Sequence, residues 1–146
     1  MKRFTRCICL VLSLILLLAM PAQAAENDGA RASNYFGSSA VYLYKTSATT
    51  FQAWFEVTCV REMDKVGAKE IKIQRSSDDE NWTTMATYTM DDYYSTLIDE
   101  NNCAHVACVT YTGSRGYYYR AYYKLYAQHD TGSGTWARYS SSIYIS

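Results

Sequence analysis

The sequence has few of the residues on which enzymes depend. It contains two histidines, His105 and His129, and one proline, Pro21, so no proline interrupts the chain beyond residue 21. No spacing of histidine with cysteine or glutamate matches a zinc motif such as His-Glu-x-x-His. His105 and Cys108 are three residues apart on a predicted strand, which turns a base and a nucleophile to opposite faces. We therefore expect no enzyme activity and no cofactor or metal.

The chain also lacks an apolar run long enough to cross a membrane. Its longest run, Cys7 to Met20, has about fourteen residues, whereas a span needs about twenty. A basic segment precedes this run, and Ala22-Gln23-Ala24 follows it, which is the pattern of a cleaved signal peptide. We therefore predict a signal peptide over residues 1–24 and a protein that is secreted, either extracellular or loosely associated with the cell surface.

A strong positive charge is absent as well. Three of the fourteen basic residues and none of the fourteen acidic ones lie in the predicted signal peptide, which leaves eleven against fourteen and a net charge of −3. Affinity for nucleic acid grows with the number of clustered cations. We therefore expect no nucleic-acid partner, and the lack of a second long apolar run predicts no transmembrane span in the mature chain.

Alternation with a period of two residues dominates the rest of the chain and is typical of β-strands. Phe51, Ala53, Phe55 and Val57 fall on one face of such a segment, and Trp54 falls on the other. Similar segments lie near residues 41–45, 71–74, 82–89, 107–111, 117–127 and 135–145, separated by turn-forming residues at 76–81, 113–116 and 130–134. The pattern predicts an all-β fold of about seven antiparallel strands in a two-sheet sandwich.

The strand pattern also predicts the domain boundaries. Residues 25–37 are expected to form a flexible N-terminal arm, and residues 38–146 a single domain. Within that domain, residues 61–69 are expected to form a turn, and residues 91–102 a long connection that crosses between the sheets. The acidic run Asp78-Asp79-Glu80 is expected to form a hairpin turn, not a calcium site, because no carbonyl-rich loop surrounds it.

Two segments resemble fibronectin type III domains and related immunoglobulin-like sandwiches. Ile71-Lys72-Ile73-Gln74-Arg75-Ser76-Ser77-Asp78, followed by Trp82, is similar to their strand C and the next hairpin, and Gly116-Tyr117-Tyr118-Tyr119-Arg120-Ala121 is similar to their strand F. The chain also resembles small secreted proteins of Gram-positive bacteria whose function is uncharacterised. The resemblance implies an immunoglobulin-like β-sandwich over residues 38–146, with Tyr117 forming the tyrosine-corner hydrogen bond.

The same resemblance implies a disulfide. Cys59 would end strand B and Cys103 would begin strand E, and these strands are antiparallel neighbours in such sandwiches. A Cys59–Cys103 bridge is therefore expected, with a stabilisation of about 2 to 4 kcal/mol. Cys108 alternates with Ala107 and Val109, so it is expected on the outer face, either free or in an intermolecular bond. Three reduced cysteines are the alternative.

Tyrosine is unusually abundant, with fifteen in the chain and six between residues 117 and 126. If Tyr117, Tyr119, Ala121, Tyr123 and Leu125 face the core, the residues between them form an outward row. With two residues of the last strand, the predicted ligand-binding surface comprises Tyr118, Arg120, Tyr122, Lys124, Tyr126, Trp136 and Arg138. Exposed tyrosine and tryptophan give large contact area at low entropic cost. The alternative is that this row only stabilises the sheet through cross-strand pairs.

These observations predict a non-enzymatic extracellular binding module whose ligand is a surface protein or a glycan. The alternative is a structural or self-assembling component of the cell envelope. A single module of this size would bind weakly by itself, so the binding hypothesis favours an oligomer that gains avidity.

Overall fold

Strands account for most of residues 34–146, which are the part of the chain that the computed structural model describes. The elements are β1 (Phe36–Lys45), β2 (Thr50–Ser76), β3 (Thr83–Thr89), α1 (Tyr94–Leu97), β4 (Ile98–Thr112), β5 (Tyr117–His129), β6 (Gly132–Tyr139) and β7 (Ile143–Ile145). The all-β prediction is confirmed. The predicted signal peptide and residues 25–33 of the predicted arm lie outside the described residues.

All seven strands belong to one antiparallel sheet, so the prediction of two separate sheets is not confirmed. The reason is β2, whose 27 residues run through both halves of the fold. Its first part pairs with β1 and β4, and its last part pairs with β3 and β5. β5 in turn pairs with β6 and β7. The turn expected at residues 61–69 is therefore wrong, because these residues continue the strand.

The hydrophobic core lies between the two halves of this curled sheet. Phe51 and Phe55 of β2 are fully buried, and Tyr119 and Tyr123 of β5 are also buried. The ring centroids of Phe51 and Tyr119 are 5.3 Å apart, and those of Phe55 and Tyr123 are 6.5 Å apart. The inner faces of β2 and β5 therefore pack directly on each other, which confirms the core-facing positions that the alternation predicted for these residues.

Gly67 lies where β2 changes partners. It is paired with Ile98 at the start of β4 and with Tyr126 of β5. A Cβ atom at Gly67 would lie 1.9 Å from the carbonyl oxygen of Leu97, the last residue of α1. Only glycine allows this approach of two backbones. α1 and the first residues of β4 thus replace the long connection expected at residues 91–102.

Tyr35 and Phe36 extend the fold beyond the predicted domain boundary at Ser38. Phe36 begins β1 and is buried, with its ring centroid 5.7 Å from that of Trp136. The ring of Tyr35 covers the β5–β6 hairpin, where a Cβ at Gly132 would lie 2.3 Å from its hydroxyl and one at Gly134 would lie 2.7 Å from its ring. The last residues of the predicted arm therefore pack on the domain.

Tyr119, and not Tyr117, is the tyrosine whose hydroxyl is hydrogen-bonded to the backbone upstream, so the prediction for Tyr117 is wrong. The Tyr119 hydroxyl accepts a hydrogen bond from the backbone N–H of Ser114 at 2.8 Å, five residues upstream. Gly113 leaves room for the ring, because a Cβ there would lie 2.8 Å from it. Tyr117 is half-buried and lies instead beside the guanidinium of Arg75, at 4.3 Å.

The predicted Cys59–Cys103 disulfide is wrong, since Cys59, Cys103 and Cys108 are all free thiols. Thr58 of β2 pairs with Ala104 of β4, but the next paired residue of β2 is Met63, so the ladder is interrupted where the two cysteines would meet. Cys59 is buried, whereas Cys103 is exposed. Cys108 is half-buried and pairs with Trp54, on the outer face as expected.

The three thiols are expected to differ in reactivity. Burial, and to a smaller extent the nearby Cys103, raises the pKa of Cys59 to about 11. Burial also raises the pKa of the half-buried Cys108, whereas Cys103 is exposed. Because the thiolate is the nucleophile, iodoacetamide at about pH 8 should label Cys103 first, Cys108 next and Cys59 last. Peptide mass mapping of native protein measures this order, and rapid labelling of Cys59 would contradict its burial.

Candidate functional site

The outward residues of β5 form the row that the sequence predicted. Tyr118, Arg120, Tyr122, Lys124 and Tyr126 are each half-buried and alternate with buried residues of the same strand. On the neighbouring strand, β2 places Gln74 opposite Arg120, Lys72 opposite Tyr122 and Glu70 opposite Lys124. The row therefore lies in the middle of a wider surface, with β2 and β3 on one side and β6 and β7 on the other.

Arg120 is the centre of this surface. Its guanidinium carbon lies 4.3 Å from the ring centroid of Trp82 and 4.6 Å from that of Tyr139. Its Nε donates a hydrogen bond to Oε1 of Gln74 at 2.8 Å. The flat guanidinium is thus held between two aromatic rings, an arrangement that fixes its orientation while leaving the charge without a carboxylate partner in the described chain.

Two tyrosine pairs extend the surface along β5. The ring centroids of Tyr122 and Tyr139 are 5.1 Å apart, and those of Tyr118 and Tyr144 are 4.9 Å apart. Tyr139 is 54% exposed and Tyr144 is 46% exposed, so the aromatic surface opens to solvent at the β6 and β7 side. Tyr139, Tyr144 and Trp82 belong to this surface but were not predicted from the sequence. Tyr139 could have been predicted, because a two-residue turn between β5 and β6 pairs it with Tyr122.

Trp136 and Arg138, which were predicted to join this surface, lie on the opposite face. Trp136 pairs with Leu125 and Arg138 pairs with Tyr123, both of which face the core. Arg138 lies 3.7 Å from the Trp136 ring and donates from Nε to Oγ of Ser39 at 3.0 Å. Because the turn between β5 and β6 has two residues, each odd-numbered residue of one strand pairs with an even-numbered residue of the other. The prediction was wrong because it placed even-numbered residues of both strands on the same face.

Lysines continue the pattern of a cation beside an aromatic ring. The Nζ atom of Lys72 lies 5.7 Å from the ring of Tyr122, and that of Lys69 lies 5.9 Å from the ring of Tyr126. Lys65 lies 5.4 Å from the ring of Tyr94 at one end of the surface. We call the whole surface the aromatic–cation face. Its members are Lys65, Lys69, Lys72, Trp82, Tyr118, Arg120, Tyr122, Lys124, Tyr126, Tyr139 and Tyr144.

Neighbouring groups raise the pKa of two lysines of this face, Lys72 and Lys65. A hydrogen bond with Glu70, whose Oε1 lies 2.9 Å from Nζ, is the main cause of the raised pKa of Lys72. A hydrogen bond with the Tyr94 hydroxyl is the main cause of the raised pKa of Lys65. Both ammonium groups are therefore cationic throughout the physiological pH range, and the face presents fixed positive charge.

The turn before Trp82 is ordered by Asp78. Oδ1 of Asp78 accepts hydrogen bonds from the backbone N–H groups of Asn81 at 2.8 Å and Glu80 at 3.0 Å. The hydroxyl of Ser76 and the amide of Asn81 add bonds of 2.7 Å each. The acidic run is therefore part of a hydrogen-bonded turn. This turn positions the Trp82 ring beside the guanidinium of Arg120.

The Asp78 turn should make stability depend on pH. The hydrogen bonds, those from Asn81 first, hold the pKa of Asp78 well below its usual range. Because the pKa of Asp78 is lower in the folded state, its ionised carboxylate stabilises the fold. This stabilisation is complete above the unfolded-state pKa of about 3.9 and is lost as the pH falls through the folded-state pKa. The melting-temperature difference between wild type and Asp78→Asn should therefore shrink between about pH 5 and pH 2. Asp79→Asn is the matched control, and a constant difference would contradict the assignment.

Asp64, His129 and Asp130 are the described residues that could hold a metal ion, since their ligand atoms lie within 4.8 Å of one another. Oδ2 of Asp64 accepts the backbone N–H of Asp130 at 2.7 Å, and His129 Nε2 lies 3.7 Å from the Asp130 carboxylate. Asp130 has a φ of 51°, as expected in a tight turn. Fixing the β5–β6 turn accounts for this cluster, and we assign no metal to it.

A second group of exposed apolar side chains lies on the outer face of β1, β2 and β4. The rings of Tyr42 and Trp54 are nearly parallel, at 4°, with centroids 6.3 Å apart. Tyr44 and Val106 are each more than half exposed on the same side of the sheet. We call Tyr42, Tyr44, Trp54 and Val106 the second patch. Unlike the aromatic–cation face, none of its four members is a cation.

Comparisons with known proteins identify no family for this chain. No protein-family model matches it, and no curated protein does. Among solved structures, it is similar to Spo0M, a sporulation control protein from Bacillus subtilis, with 10% sequence identity and a TM-score of 0.39. The similarity covers 71% of this chain and 49% of Spo0M, and at this TM-score it supports no conclusion about function. Within residues 34–146, no helix is both long and apolar enough to span a membrane.

Proposed function

We propose that this protein is a secreted, non-enzymatic binding module that captures an extracellular ligand through the aromatic–cation face. The observation that carries the proposal is the continuity of that face, in which Arg120 lies between Trp82 and Tyr139 and the tyrosine pairs extend it along β5. Single exposed aromatic residues are common on proteins, but a contiguous set is typical of interaction sites. Secretion is proposed from the sequence of residues 1–24.

We also propose that the domain is an immunoglobulin-like sandwich in which β2 serves as both strand B and strand C. In such folds, strands B and E pair in one sheet, and strands C, F and G pair in the other. The pairing of the first part of β2 with β4, and of its last part with β5 and then β6, supports this interpretation. The hydrogen bond from Ser114 to the Tyr119 hydroxyl also supports it.

The composition of the face favours recognition over a purely structural role. Arginine, tyrosine and tryptophan are the residues most enriched among those that dominate binding energy. A role limited to stabilising the sheet requires cross-strand pairs, yet Tyr139 and Tyr144 keep about half of their surface exposed despite their pairs. This exposed aromatic area is available to a ligand.

Self-assembly into a cell-envelope structure is the second candidate function. The second patch favours it, because a module with exposed aromatic groups on both outer faces can contact two neighbours at once. Tyr44 is 59% exposed and Val106 is 53% exposed there. Concentration-dependent association of the purified domain, lost on Tyr42→Ala with Tyr44→Ala, would identify this function.

The binding proposal is tested by comparing two double variants. Tyr139→Ala with Tyr144→Ala should reduce binding of the domain to glycan arrays and to cell surfaces at least tenfold, because both rings belong to the aromatic–cation face. Tyr42→Ala with Tyr44→Ala removes similar exposed tyrosines from the second patch and should leave binding unchanged. Circular dichroism and melting curves control for folding. Equal binding by wild type and the first variant would reject the proposal.

A further inference from the structure

The aromatic–cation face carries a local excess of positive charge. Its cations are Lys65, Lys69, Lys72, Arg120 and Lys124. Three carboxylates lie near them: Glu70 beside Lys72, Glu100 opposite Lys65 on β4 and hydrogen-bonded by Tyr94, and Asp91 beside Lys69, so the cations still outnumber the carboxylates by five to three. The chain as a whole has fourteen basic and fourteen acidic residues, so this surface is more basic than the protein that carries it. An anionic ligand would be favoured there.

The cations are presented mainly by aromatic rings, which do not neutralise them. Arg120 lies between Trp82 and Tyr139 with no carboxylate partner in the described chain, and Lys69 lies beside Tyr126. Only Lys72 among the five forms a described ion pair, with Glu70. A ligand that brings acidic groups therefore meets positive charges whose side chains are already oriented, and it loses less entropy in fixing them.

The chemistry of the face repeats along one strand, β5. Aromatic and cationic residues alternate from Tyr118 to Tyr126 on β5. At about 3.3 Å per residue, the row is about 26 Å long, and residues of one kind recur about every 13 Å. A repeating linear site suits a repeating linear ligand. Aromatic rings pack against the C–H faces of sugar rings, whereas arginine and lysine pair with carboxylates, sulfates or phosphates.

We propose that the ligand of the aromatic–cation face is an acidic polysaccharide that lies along β5. Sugar rings contact the tyrosines at the open side of the face, and the acidic groups pair with Arg120, Lys72 and Lys124. This inference rests on the proposed binding function and specifies its ligand. A nucleic acid is less favoured, because its affinity grows with the number of phosphates that clustered cations neutralise, and this face offers only five cations beside three carboxylates.

The test uses defined polymers as probes. Polygalacturonate and heparin represent acidic polysaccharides, dextran is a neutral polysaccharide, and poly-glutamate is an acidic chain without sugar rings. Wild type should bind the two acidic polysaccharides, more weakly as salt rises from about 0.05 to 0.5 M, and should bind dextran and poly-glutamate at least tenfold more weakly. Lys72→Gln with Lys124→Gln should weaken polysaccharide binding at least tenfold. Arg61→Gln with Arg115→Gln, two exposed cations outside the face, is the matched control.

The outcomes separate this inference from the proposed function. Binding of dextran as tight as that of polygalacturonate, still lost on Tyr139→Ala with Tyr144→Ala, would overturn the acidic ligand and leave the binding function standing. Equally tight binding of poly-glutamate, insensitive to the tyrosine substitutions, would reduce the interaction to charge alone and overturn the polysaccharide. If no polymer binds, the inference fails, and the glycan-array and cell-surface comparison alone decides the proposed function.

Discussion

Gly67→Ala is expected to destabilise the domain by about 3 kcal/mol or more, a large fraction of the roughly 5 to 15 kcal/mol by which a typical domain is stable. A Cβ at this position would lie 1.9 Å from the Leu97 carbonyl oxygen and 2.9 Å from the carbonyl carbon, both of which are backbone atoms. No side-chain rotation can relieve that overlap, so β2 or the end of α1 must move. Chemical denaturation with far-ultraviolet circular dichroism measures the loss.

Gly116→Ala is the matched control for this substitution. Gly116 also has a positive φ, of 84°, but no atom lies within 4 Å of a Cβ placed there. Gly116→Ala should therefore lower the free energy of unfolding by only about 1 to 2 kcal/mol, the backbone strain of a left-handed residue that is not glycine. A Gly67→Ala protein as stable as Gly116→Ala would show that β2 does not pass against α1 as the structure has it.

The crossing at Gly67 also explains why the sheet arrangement could not be read from the sequence. Alternation predicts that a segment is a strand and which residues face the core, and it did so for Phe51, Phe55, Tyr119 and Tyr123. It does not predict whether two consecutive strands are joined by a turn or by a bend. Residues 61–69 looked like a turn because their alternation is irregular, and the register shifts in the ladders at Thr58–Met63 and Ala68–Glu70 account for that irregularity.

Register also limited how much of the candidate site could be predicted. The outward row of β5 could be predicted from the alternation of residues within that one strand. Placing Trp136 and Arg138 required the parity of pairing across the β5–β6 turn, which depends on the number of residues in that turn. The same dependence on register separates Cys59 from Cys103, since one interruption in the β2–β4 ladder keeps neighbouring cysteines apart. The contact of Trp82 with Arg120 could not be predicted, because it arises from a turn that folds over the sheet.

Tyr119→Ala should cost about 3 to 5 kcal/mol, the usual loss for truncating a buried aromatic residue. Tyr119 is 1% exposed, and its ring contacts Phe51 and Tyr111, with centroids 5.3 and 6.0 Å away. Tyr119→Phe keeps this packing but removes the acceptor of the Ser114 N–H, so it should cost about 0.5 to 1.5 kcal/mol, the net value of one hydrogen bond, because Ser114 is exposed and water can replace the acceptor. Urea unfolding of the two variants separates packing from hydrogen bonding.

Tyr118→Ala is the matched comparison for Tyr119→Ala. Tyr118 is the preceding residue on β5 but faces outward, where it pairs with Tyr144 at the end of the aromatic–cation face. Its loss should cost no more than about 1 kcal/mol, the value of a cross-strand pair. Because adjacent residues of a strand face opposite ways, the two substitutions must differ if one face is core and the other is available to a ligand. Equal losses would mean that the outward face is also buried, and the interface it buries would then be the self-assembly contact of the second candidate function.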